Sequence, residues 1–75
     1  MHLKLYPNPA QSQVSICNDE IINRVVVSDI MGREAIVYEC ASTKVSLDIS
    51  QLSTGSYIIS VSSAGTIYNS KLIKE

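Results

Sequence analysis

The sequence predicts an all-β domain of about seven short antiparallel strands, and three observations carry that expectation. Apolar and polar residues alternate with a period of two, most clearly in Val45-Ser46-Leu47-Asp48-Ile49. The apolar residues, 45% of the chain, are led by Ile and Val, whose branched β-carbons favour extended backbone. Gly, Pro, Asn and Ser punctuate the alternation at short intervals, and no stretch of ten or more residues carries a helical apolar period.

The first strand is Leu3-Lys4-Leu5, interrupted by Tyr6-Pro7-Asn8-Pro9. Two prolines fix two φ angles and remove two N–H donors, which ends a ladder there. A second strand, Gln13 to Cys17, is closed by Asn18-Asp19-Glu20. The third runs from Asn23 to Ile30, with Val25 and Val27 on one face and Val26 and Ser28 on the other. Met31-Gly32-Arg33 reads as a tight turn, and Asp29 is placed to fix it by accepting backbone N–H bonds. Glu34 to Cys40 forms a fourth strand, with Ile36 and Tyr38 on one face, and Ala41-Ser42-Thr43 reads as a loop. Val45 to Ile49 is the fifth strand, with Asp48 facing solvent and Leu52 plugging the core beyond it. Ser50-Gln51-Leu52 is compatible with one helical turn. Tyr57, Ile59 and Val61 alternate in the sixth strand, Ser63-Ala64-Gly65 turns the chain, and Thr66 to Ile73 is the seventh.

Short strands at this spacing predict two packed antiparallel sheets, a small immunoglobulin-like β-sandwich. The chain has no Trp, so the Cys–Trp–Cys signature of antibody-type domains is absent. At 75 residues the chain is one domain, and such a domain buries only roughly 60% of the surface its unfolded form exposes. That leaves little room for an internal cofactor.

Charge and composition exclude several function classes. Six basic and seven acidic residues are scattered along the chain, so no basic stripe points to nucleic acid. No apolar run approaches the ~20 residues of a transmembrane helix. Met1-His2-Leu3-Lys4 lacks the apolar core of a signal peptide. Cys17 and Cys40 are expected as small, largely buried thiols without a bond between them.

No catalytic constellation is legible. His2 is the one histidine and sits at the chain end, so neither thiol has an evident base. No serine lies in a G-x-S-x-G elbow. The acids Asp19, Glu20, Asp29, Glu34, Glu39 and Asp48 are spread through turns and strands without metal-ligand spacing. The expectation is a chain that is not an enzyme and holds no cofactor or metal.

Taken together, four motifs resemble the C-terminal sorting domains of type IX secretion in Bacteroidetes. Leu5-Tyr6-Pro7-Asn8-Pro9-Ala10 is similar to the family's opening Y-P-N-P motif. Asp29-Ile30-Met31-Gly32-Arg33 resembles its D-x-x-G-[KR] strand end. Leu47 to Leu52, followed by Ser53-Thr54-Gly55-Ser56-Tyr57, resembles L-x-x-L-x-x-G-x-Y. Lys71-Leu72-Ile73-Lys74 is similar to the basic and aliphatic C-terminus. Ser28 stands where the family often has an aromatic residue, and Cys17 and Cys40 fall outside its pattern.

The resemblance implies a non-catalytic signal at the end of a larger secreted protein, with cargo on its N-terminal side. It implies passage through the periplasm, recognition by an outer-membrane translocon and removal by a sortase-like peptidase. The cargo would reach the cell surface or the medium. Recognition would fall on Tyr6, Pro7, Asn8, Pro9, Gly32, Gly55, Tyr57, Lys71, Leu72, Ile73 and Lys74, with Lys71 and Lys74 expected as exposed charges. A terminal strand at a sheet edge would pair with a receptor strand, or form weak dimers in isolation. The alternative is a carbohydrate- or protein-binding β-sandwich appended to a secreted enzyme, presenting an exposed tyrosine platform.

Overall fold

Five antiparallel strands form the fold in the computed structural model, which describes residues 3–7 and 11–75. They are β1 (Lys4–Tyr6), β2 (Gln13–Asp29), β3 (Glu34–Asp48), β4 (Gly55–Ser63) and β5 (Thr66–Lys74). All belong to one sheet, and β2 is its hub, pairing with β1, β3 and β4, while β5 adds to β4. His2, Asn8 and Pro9 lie outside the described residues.

The all-β expectation holds, but the seven short strands are joined into five. The predicted second and third strands are one strand, β2, and the fourth and fifth are β3. Asn18-Asp19-Glu20 therefore does not end a strand, and Ala41-Ser42-Thr43 is no loop. The physical reason lies at Asn18, which is buried rather than solvated. Its Nδ2 donates to Ser63 Oγ at 3.1 Å, and Ser63 Oγ donates to the Ile21 carbonyl at 2.6 Å. A polar triplet that reads as a turn is thus held by β4 and kept in the sheet.

β2 cannot be straight. Seventeen residues at about 3.3 Å each would span roughly 56 Å, whereas the longest dimension of the molecule is 30 Å. The strand folds back where its pairing with β3 slips. Between the pairs Cys17–Lys44 and Ile22–Ser42, β2 advances five residues and β3 two. The surplus residues 19–21 bulge into solvent, which bends the strand and raises its local twist.

Folding back lets both halves of the sheet bury one core. Val14 and Ile16 of the first half of β2, with Val45 and Leu47 of β3, share a cluster with Val25, Val27, Ile59, Val61 and Leu72. Ile22 at the bend is fully buried within it. Leu52 packs against this cluster as expected, while Ser50-Gln51-Leu52 forms a turn closed by the Leu52 N–H on the Ile49 carbonyl, not a helix. Tyr38 shares the inward face with Ile36, as alternation predicts, yet is 44% exposed, because β3 has no strand beyond it among the described residues.

Candidate functional site

The described parts of the four motifs, dispersed over the sequence, meet at one end of the fold. Asp29 pairs with Tyr57 and Tyr57 with Leu72, so the β2–β3 turn, the start of β4 and the end of β5 lie side by side. Gly55 pairs with Lys74 in the next row. The chain start joins them: Pro7, Gln11, Ser12, Gln13 and Glu75 line one shallow cavity of about 420 Å³. The bend of β2 marks the opposite end, where Asp19, Glu20, Ile21, Asn23, Thr43 and Ala64 line a second shallow hollow.

The β2–β3 turn is the most rigidly specified part of this end. Asp29 Oδ1 accepts from the Met31 and Arg33 N–H groups at 2.9 and 3.0 Å, and Oδ2 accepts from Arg33 Nε at 3.0 Å. The Gly32 N–H closes the turn on the Asp29 carbonyl, and Gly32 takes φ +88°, which side-chain-bearing residues rarely adopt. Asp29 thus fixes the hairpin as its sequence position suggested. The fixed turn holds Ile30 and Met31 out in solvent, 75% and 77% exposed.

Those hydrogen bonds, led by the Arg33 N–H, hold the Asp29 carboxyl below the usual carboxylate range, although partial desolvation opposes them. A depressed folded pKa adds stability above the unfolded pKa of about 3.9, lost as pH falls through the folded value. Melting temperature should therefore drop on the acid side of pH 4, and Asp29→Asn should show a shallower drop. Asp48, lowered by Ser50 Oγ and the Ser50 N–H, contributes in the same direction and remains in that variant. Parallel acid limbs for parent and variant would show that Asp29 carries none of the effect.

The predicted recognition residues divide by burial. Tyr6 and Pro7 are exposed, as are Gly32 and Lys71. Leu72 is fully buried and Tyr57 nearly so, its hydroxyl donating to the Ser53 carbonyl at 2.7 Å and pinning the loop before β4. Ile73 is half-buried and Gly55 begins β4. Lys74 corrects an expectation: it is not an exposed charge but 9% exposed. Strand alternation puts it on the face of Leu72, and its Nζ reaches the Glu75 carbonyl at 3.0 Å. Ile30, Met31 and Arg33 add exposed side chains to this end. Their exposure follows from the turn geometry that Asp29 and Gly32 encode.

The remaining reactive groups are occupied locally. Cys17 and Cys40 are both free. Cys40 donates to the Ile22 carbonyl, and burial, with Glu39 beside it, pushes its thiol up, which disfavours the nucleophilic thiolate. The Tyr6 hydroxyl lies 3.4 Å from Cys17 Sγ. Among the described residues no three His, Cys, Asp or Glu side chains gather into a metal-holding group. No helix among them is long and apolar enough to cross a membrane.

What the fold and this end define is a small antiparallel β module whose motif residues gather on one surface. The chain belongs to the secretion system C-terminal sorting domain family, whose model matches residues 4–75. No curated protein matches it. Membership makes it a C-terminal sorting signal of type IX secretion, a route to the cell surface or medium.

Proposed function

We propose that this domain is read by the type IX outer-membrane translocon at the end where its motifs converge, after transit of the periplasm on the C-terminal side of its cargo. A sortase-like peptidase then removes it, and the domain itself performs no chemistry. In this reading the folded-back sheet is an immunoglobulin-like two-layer form, with seven predicted strands joined into five. The single observation that carries the proposal is the position of β5. Among the described residues it pairs with β4 alone, which places the strand bearing the terminal motif at the border of the described sheet, beside the other motifs. Tyr6, Pro7 and the turn holding Ile30 and Met31 present further contacts at the same end, pre-ordered so that little entropy is lost on binding. Asn8 and Pro9 keep their proposed role from the motif alone.

The burial pattern decides how to test this. Deleting residues 71–75 would remove core-forming Leu72 along with the signal, so lost export would report lost folding. Lys71→Glu is the cleaner change, because Lys71 is exposed and surface charges contribute little to stability. Periplasm-targeted reporters fused to the parent and variant domains should be compared in a type IX-secreting bacterium. The parent should deliver reporter to the surface or medium, and the folded Lys71→Glu domain should deliver several-fold less. Equal delivery would remove Lys71 from the recognition surface. Retention of both, with the domain folded, would overturn the sorting mechanism. The binding-module alternative gains no support from the tyrosines: exposed Tyr6 faces away from the core and Tyr38 lies on the core-side face, so they form no shared platform.

A further inference from the structure

The first strand starts at the end of the fold away from the converging motifs. β1 pairs as Tyr6–Ser15, Leu5–Ile16 and Lys4–Cys17, so toward its start it runs along β2 to the bend. β4 finishes from the other direction, with Ser63 opposite Ile22. Only residues 18–21 of β2 separate those two pairings, and they carry the bulge. Asp19, Glu20 and Ile21 stand in solvent there, Ile21 47% exposed, beside the hollow that Asn23, Thr43 and Ala64 complete with them. The bulge is held from beneath: Asn18 donates to Ser63, Ser63 donates to the Ile21 carbonyl, and Ile22 is fully buried. Ala64 takes φ +51° in the adjoining turn, a left-handed conformation that residues with side chains rarely adopt.

We propose that this bulge seats the peptidase that removes the domain, and that receptor and peptidase therefore use opposite ends of the fold. The inference rests on the type IX reading above, in which the cargo is joined upstream of β1. Leu3 and Leu5 pack against the core and β1 is paired in the sheet, so a cut that spares the fold lies upstream of Leu3. A peptidase gripping that segment abuts the bulge, because residues 18–21 of β2 continue from the pair at which β1 begins. In the cut, the cargo's acyl carbon passes from the domain's amide nitrogen to the peptidase nucleophile, whose proton goes to that nitrogen. Water or an acceptor amine then releases the cargo, and the domain leaves with a new amino terminus. Exposed Ile21 flanked by carboxylates has the make-up of a small apolar interface centre with a polar rim. Among the described residues lining the hollow two are acids and none is basic, so it suits a peptidase surface that brings an apolar contact and basic side chains. The buried network fixes the bulge before docking, which spares the ordering cost of a loose loop. A domain held at its motif end thus still offers its junction for cutting.

Reporters fused upstream of the domain in a type IX-secreting bacterium separate the two events, delivery by location and removal by the size of the delivered product. Asp19→Lys combined with Glu20→Lys reverses two exposed charges, which should cost little stability. This variant should reach the surface or medium as the parent does, yet lose its domain about tenfold more slowly. Its delivery is itself the check on folding. Lys71→Glu should show the converse, reduced delivery with prompt removal of whatever arrives. Should the double variant be degraded in the periplasm, Thr43→Arg, an exposed change at the same hollow, decides by the same two readouts. Removal at the parental rate from delivered variants would overturn the inference and leave the sorting function standing. Retention of the folded double variant in the periplasm would also overturn it, by assigning the bulge to the translocon. A parent delivered uncut would overturn the peptidase reading on which the inference rests, and a retained parent the sorting reading itself.

Discussion

Truncating Leu72 to alanine is expected to destabilise the domain by about 2–5 kcal/mol. Leu72 is fully buried, pairs with Tyr57 of β4 and belongs to the core cluster of the described residues. A domain of this size has a total stability of only about 4–11 kcal/mol, so the variant should be substantially unfolded at a temperature where the parent is folded. Urea denaturation is the check: the midpoint should fall sharply for Leu72→Ala and barely move for Lys71→Ala. Similar midpoints for the two would mean that the end of β5 frays and that Leu72 is not a core residue in solution. The comparison also matters for function. Neighbouring residues of one motif are expected to fail in export for different reasons, Leu72 through folding and Lys71 through recognition.

Replacing Ser63 with alanine should cost about 1–3 kcal/mol, an unusual amount for losing one hydroxyl. Ser63 is 1% exposed and its Oγ serves two partners, accepting from Asn18 Nδ2 and donating to the Ile21 carbonyl. Removing it strands a buried amide beside an Asn18 Oδ1 that already has no protein partner. Because the network ties the bend of β2 to the end of β4, amide hydrogen exchange near residues 18–22 should accelerate beyond the global effect. A loss below about 0.5 kcal/mol, with exchange unchanged at the bend, would show that water replaces the hydroxyl and that the bend is held by sheet pairing alone.

The sequence placed much of this domain correctly because the relevant signals were local. Alternation put Val25 and Val27 on one face, which is the buried one, and the Asp29–Gly32 spacing specified a turn whose hydrogen bonds are present as expected. Asp48 is exposed and bonded to Ser50, in keeping with its position at a strand end. The failures share a cause. Asn18-Asp19-Glu20 has turn composition, and its incorporation into β2 depends on Ser63, 45 residues away from Asn18. Lys74 looked solvent-facing because lysine usually is, yet alternation from Leu72 turns it inward. Alternation put Tyr38 on one face with Ile36, but only the sheet order reveals that β3 has no neighbour on that side among the described residues, which leaves the ring exposed.

The sequence by itself determined the β class, the turns, most of the core and the family to which the chain belongs. Those properties rest on residues close together in the chain, where side-chain period and φ preference act directly. The tertiary structure alone decided that β2 folds back, that one sheet closes on a single core, and that the described parts of the four motifs share one end. It also separated the buried motif residues, Tyr57, Leu72 and Lys74, from Tyr6, Gly32 and Lys71, which remain on the surface. Burial and edge position depend on which strands become neighbours, and that is set by contacts between residues far apart in sequence, where composition carries no direct signal.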